Sequence, residues 1–303
     1  MVNWPRAVTS FGASMSTLRI LPCLDSNDLA NLRRRELDIP RNRARDLGRS
    51  AAEAARVGYY ETDTGKRVHW GDALRAACLA KISIPPDDAL PFSHRVPLEE
   101  TRVQVVNETT LGVAFRMFTE GLRPLALNFA NGIKPGGGFL SGARAQEEVL
   151  CRSSGLYQTL VGDPMYAAHA QRPMPDSTDW AILSPDVPVF RRDDGQSLDD
   201  PWPLSLLTCA APYAPGVGQP QAADLLQARI HRVFAIAHSQ GYTSLVLGAS
   251  GCGAFGNDAK RTAADFRLAL KGDFEGAFAE VVFAITDWSP ERRYLRPFCD
   301  TFS

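Results

Sequence analysis

From about residue 100 onward the chain alternates short apolar runs with longer amphipathic stretches, and this alternation restricts the fold more than any other feature. Val103 to Val106, Leu125 to Phe129, Leu204 to Ala210, Ser244 to Leu247 and Val281 to Ile285 read as strands, with one or two more between Trp180 and Phe190. Leu111 to Phe118, Ala145 to Val161, Ala222 to Ser239 and Ala259 to Leu270 read as helices between them. Strands interleaved with helices in this way give an α/β layer fold with a mostly parallel or mixed sheet.

Before residue 100 the pattern differs. Residues 1–27 carry no clear periodicity and are expected to form a loose tail. Residues 28–100 read as a mainly helical accessory segment. It holds helical spacing from Asp28 to Arg56 interrupted at Pro40, two short strands around Asp63-Thr64-Gly65, and a helix from Ala73 to Lys81. Pro85, Pro86, Pro91 and Pro97 mark a linker into residues 101–303, the main domain.

Composition removes several function classes. Lys plus Arg (33) against Asp plus Glu (34) leaves a net charge of -1. Charge-driven coating of nucleic acid needs clustered positive charge, so no direct sequence-specific nucleic-acid partner is expected. The basic stretch from Arg33 to Arg49 reads as solvated charge that can also attract a polyanion. The cysteines at 23, 78, 151, 209, 252 and 299 form no CxxC or Cys/His cluster, so a zinc site is not expected and the thiols read as reduced. His69, His94, His169, His231 and His238 show no ligand spacing either. No apolar run approaches membrane-spanning length. A cytoplasmic monomer without metal or cofactor is the expectation.

Two glycine-rich loops carry the chemistry. The first runs from Leu127-Asn128-Phe129-Ala130-Asn131 through Gly136-Gly137-Gly138 into Gln146-Glu147-Glu148. Three glycines remove every side chain from a short stretch, so its backbone can reach a ligand directly. A flexible linker is the plain alternative, and acids in a first helical turn favour the positive helix end without any function. The second loop, Ser250-Gly251-Cys252-Gly253-Ala254-Phe255-Gly256, follows an apolar strand and precedes a helix, where backbone amides can cradle a diphosphate. Gly251, Gly253 and Gly256 also satisfy the dinucleotide fingerprint, although only one strand follows, whereas that fingerprint opens its domain. Cys252 reads as a small buried residue rather than a nucleophile.

Asn-Phe-Ala-Asn, then Pro-Gly-Gly-Gly, then Gln-Glu-Glu after seven intervening residues, resembles the signature of poly(ADP-ribose) glycohydrolases of the compact bacterial form. Ser184 to Arg191, Gly251 to Asn257 and the stretch from Arg33 to Trp70 are similar to that family as well. The resemblance implies a macrodomain-like catalytic domain, a mixed sheet sandwiched between helices, with residues 28–100 as an accessory layer. It implies ADP-ribose and poly(ADP-ribose) on modified proteins as the ligands, and reversal of ADP-ribosylation, including after DNA damage, as the role. By resemblance Glu148 is the catalytic acid and Glu147 its neighbour that holds ribose hydroxyls. Asn131 holds the distal ribose, Gly136, Gly137 and Gly138 pack on ribose and diphosphate, and Gln146 belongs to the substrate-binding set. Ser250 to Gly256 wraps the diphosphate with Phe255 on the proximal ribose, and Glu108 reads adenine. A non-catalytic ADP-ribose reader, a mono-ADP-ribosyl hydrolase and an NAD-dependent oxidoreductase remain as alternatives at this point.

Overall fold

The computed structural model describes residues 16–91 and 95–303. Residues 1–15 of the expected tail, and His94, lie outside the described residues. In chain order the strands are β1 (Thr17–Ile20), β2 (Tyr59–Glu61), β3 (Arg67–His69), β4 (Ile82–Ile84), β5 (Glu100–Val106), β6 (Pro124–Ala130), β7 (Ala181–Arg191), β8 (Ser197–Ala210), β9 (Ser244–Leu247) and β10 (Glu280–Ala284). Eight of them form one sheet in the order β1-β5-β10-β9-β6-β8-β7-β4. The run from β1 to β8 is parallel, and β7 and β4 join antiparallel. A mixed α/β sheet is therefore what the alternation produces.

Both faces of the sheet are covered, which is why its central strands are apolar throughout. In β10, Val281 and Phe283 point into one layer with Phe234, Phe266 and Phe298, while Val282 and Ala284 point into the other with Leu111, Met117 and Leu150. The first layer is built by helices Gln221–Ser239, Ala259–Lys271 and Leu295–Thr301, the second by Thr110–Thr119, Gln146–Ser153 and Leu156–Leu160 among others. Among the described residues no helix is long and apolar enough to cross a membrane.

The accessory helices Asn27–Leu37 and Arg41–Val57 break at Pro40, as the proline requires, and β2 pairs with β3 as a hairpin. Tyr60, Trp70 and Phe190 make a small core of their own beside the main one. Helix Arg41–Val57 presses on the turn after the triple glycine. At Gly48 any Cβ would sit 2.4 Å from the Phe139 carbonyl oxygen, so only glycine permits this approach.

Four expectations change. Residues 16–27 are not a loose tail, because β1 adds to the sheet edge and Leu24 bridges to Val106. β4 closes the opposite edge, so the N-terminal segment is woven into the main sheet rather than only layered on it. The single helix expected from Ala145 to Val161 breaks after Ser153. Ser154 is extended and bridges to Val189, and the Gly155 N–H donates to the Pro188 carbonyl at 2.9 Å. The cysteines are not all reduced: Cys23 and Cys299, 276 residues apart, form a disulfide between the segment after β1 and the C-terminal helix.

Gly48→Ala is expected to lower stability by about 1–3 kcal/mol, the usual range for an overpacked contact. Urea unfolding checks it, and a loss no larger than that of an exposed Ala substitution would contradict the close approach.

Candidate active site

The parallel strands set the location. The carboxyl ends of β5, β6, β8, β9 and β10 open on one cleft of about 580 Å³, the size of a nucleotide-sized ligand site. Glu108, Asn131, Gln146, Glu147, Glu148, Gly251, Gly253, Ala254 and Phe255 all line it. The two loops singled out by sequence thus meet across a single opening.

Glu147 and Glu148 open helix Gln146–Ser153 and are both buried. Their surroundings explain how two adjacent acids tolerate this. Glu147 Oε2 accepts from the Asn131 N–H at 2.8 Å and Oε1 from Asn128 Nδ2 at 3.4 Å. Glu148 Oε1 accepts from the Gly138 N–H at 2.9 Å. Glu148 Oε2 is buried with no hydrogen bond among the described residues. Gly137 lies between the carboxyls with φ +56°, and a Cβ there would stand 2.3 Å from Glu148 Oε1 and 3.0 Å from Glu147 Oε2. A side chain at 137 would displace both acids.

The triple glycine therefore serves the carboxyls first. Gly136 and Gly137 are buried and do not line the cleft. Gln146 is likewise occupied: its Nε2 donates to the Leu127 carbonyl at 2.7 Å and to Thr110 Oγ1 at 3.2 Å, and its Oε1 accepts from the Phe129 N–H at 2.9 Å. It ties the helix start to the end of β6. The Asn131 side chain closes its own turn, Oδ1 accepting from the Ile133 and Lys134 N–H groups.

In the second loop, Gly251, Gly253, Ala254 and Phe255 face the cleft, with Phe255 edge-on to Tyr213 at 5.9 Å. Ser250 and Cys252 are buried, and Gly256 turns the chain out of the loop with φ +69°. Burial pushes the Cys252 thiol up to about 11, which suits a packing residue and not a nucleophile. Glu108 stands at the cleft but already accepts from the Thr109 N–H and pairs with Arg33 from helix Asn27–Leu37.

Sequence reasoning missed several lining residues. Asp193, in the turn after β7, accepts from Thr109 Oγ1 at 2.8 Å, and burial raises its carboxyl to about 6. Trp288 and Tyr294, beyond β10, also line the cleft. Aromatic residues just past the last strand were the available signal.

Burial pushes the Glu147 carboxyl up to about 8; the Asn131 N–H opposes this and the Glu148 charge adds to it. At neutral pH the Glu147 carboxyl therefore retains its proton. An unfolded glutamate releases its proton near 4.5, so between about 4.5 and 8 the unfolded state binds fewer protons and stability falls as pH rises. Glu147→Gln is expected to flatten that fall, as measured by urea melts across the window. A variant with the wild-type pH profile would remove the assignment.

Comparison with known proteins gives this site its family. The model of the microbial-type poly(ADP-ribose) glycohydrolase (PARG) catalytic domain matches residues 49–192. The chain is 36% identical to the poly(ADP-ribose) glycohydrolase of Thermomonospora curvata, covering 86% of this chain and 99% of that one, with a TM-score of 0.79. The same enzyme bound to the inhibitor ADP-HPD superposes with a TM-score of 0.79 at 38% identity over the same shares. The Deinococcus radiodurans enzyme in complex with ADP-ribose is 38% identical over 76% of this chain and 97% of that one, with a TM-score of 0.70. No curated protein sequence matches. With 36% identity over 86% of its own length and 99% of a solved bacterial enzyme, the chain belongs to the microbial-type poly(ADP-ribose) glycohydrolase family.

Proposed function

We propose that the protein hydrolyses the ribose–ribose O-glycosidic bonds of poly(ADP-ribose), releasing ADP-ribose, with Glu148 as general acid and base. One observation carries this reading: Glu148 lines the cleft with one oxygen fixed by the Gly138 N–H and the other without a protein partner. A pure binder has no need of a carboxyl so placed. The solved relatives in complex with ADP-ribose and ADP-HPD support the ligand class.

The bond joins ribose C1″ to a 2′-oxygen, and its cleavage passes through an oxocarbenium-like state. Glu148 gives its proton to the departing 2′-oxygen as the C1″–O bond breaks. Water then adds to C1″ and returns a proton to Glu148. Glu147, with both oxygens engaged by backbone and Asn128, is held as a positioner of ribose hydroxyls rather than a nucleophile. The ligand's own diphosphate, cradled at Gly251 to Phe255, stabilises the cationic sugar. The protein acts as a cytoplasmic monomer on ADP-ribosylated proteins.

Glu148→Gln is expected to keep ADP-ribose binding by calorimetry and to lose polymer cleavage by ~10²–10⁴. Unchanged cleavage would sink the role of Glu148. Running poly(ADP-ribose) beside mono-modified peptides separates this activity from a mono-ADP-ribosyl hydrolase, and binding without turnover of either would leave a reader.

A further inference from the structure

Among the described residues Arg152 is the largest side chain that the fold buries completely, 1% exposed. Its Nε, Nη1 and Nη2 make no hydrogen bond among the described residues. A guanidinium so placed is costly, because its charge loses water without gaining a hydrogen-bonded partner. It does not line the cleft, so the cost is not explained by ligand contact.

Its position supplies the explanation. Arg152 follows Glu148 by four residues on helix Gln146–Ser153, hence on the same face. Helical side chains lean toward the helix N-terminus, which lays a long residue at 152 over the turn that carries Glu148. Both ends of this juxtaposition hold buried atoms without partners, the guanidinium nitrogens and Glu148 Oε2. The charged groups around Arg152 come from four places. Glu148 acts from its own helix, Asp193 from the turn after β7, and Arg144 from the loop before the helix. Arg191, at the end of β7, donates to the Arg152 carbonyl at 2.9 Å. Burial lowers the Arg152 pKa, while Asp193 and then Glu148 favour its charged form. Glu147 is the other acid beside Glu148.

We propose that Arg152 is a positioning residue whose fixed positive charge, set behind Glu148, stabilises the carboxylate formed when Glu148 hands its proton to the departing sugar oxygen. Asp193 partly offsets that charge. The inference rests on Glu148 being the acid of the proposed hydrolysis, but its first test needs no turnover. The Glu148 carboxyl is followed by 13C NMR titration in the wild type, Arg152→Met, Arg152→Lys and Asp193→Asn, beside the pH profile of kcat and calorimetry with ADP-ribose.

In Arg152→Met the Glu148 midpoint and the alkaline limb of kcat are expected to rise by about one pH unit, the lower range for losing a nearby opposite charge. ADP-ribose affinity stays unchanged, Arg152→Lys keeps the wild-type midpoint, and Asp193→Asn moves it down. A midpoint unmoved in Arg152→Met, or moved equally in Arg152→Lys, overturns the proposal and leaves Arg152 as packing. Should Arg152→Met not fold, Arg152→Gln decides on the same readout: an upward shift of the Glu148 midpoint supports the proposal and none overturns it. A shifted midpoint in a protein that cleaves no polymer upholds the electrostatic role while removing the hydrolase reading.

Discussion

Two neighbouring carboxyls can be buried only where backbone donors replace the water they lose, and the site is organised around that requirement. The donors come from a strand end, the Asn131 N–H, and from a turn without side chains, the Gly138 N–H. Each must stand within hydrogen-bond distance of a different oxygen on one helical turn. The strand end is fixed by β6 pairing between β8 and β9. The turn is fixed from outside by helix Arg41–Val57, whose Gly48 meets the Phe139 carbonyl. Helix Arg41–Val57, which packs on both this turn and the helix that carries the acids, thus helps to set their geometry.

The same requirement explains where the polar side chains of the first loop are spent. Gln146 and the Asn131 side chain, both candidates for contact with ligand, bond instead to the backbone that carries the carboxyls. Such bonds hold the two carboxyls in place before any ligand arrives. The second loop is different in kind. It presents bare backbone and one ring, Phe255, to the cleft, which suits a diphosphate and a sugar rather than proton transfer.

Much of this was legible in the sequence. The strands from β5 onward, the break at Pro40 and the hairpin of β2 and β3 follow from local pattern, since each is set by its own residues. The three glycines ahead of two acids marked the site, but they read as backbone for a ligand, whereas Gly137 packs against Glu147 and Glu148. What escaped depends on partners distant in sequence. β1 and β4 are 4 and 3 residues long and exist because an edge was waiting for them. The pattern that reads as continuous helix breaks because Val189 bridges to Ser154 and the Pro188 carbonyl accepts from the Gly155 N–H. Asp193 and Arg152 look like ordinary charges until burial is known, and the Cys23–Cys299 pair leaves no trace in spacing.

The two outermost strands have a consequence beyond architecture. Both come from before residue 100, yet they cap opposite margins of a sheet otherwise made by the rest of the chain. A fragment beginning at residue 100 would bare a row of amides on β5 and another on β7, ready-made templates for self-association. The amino-terminal segment thus guards the rest of the chain against polymerising through its own flanks.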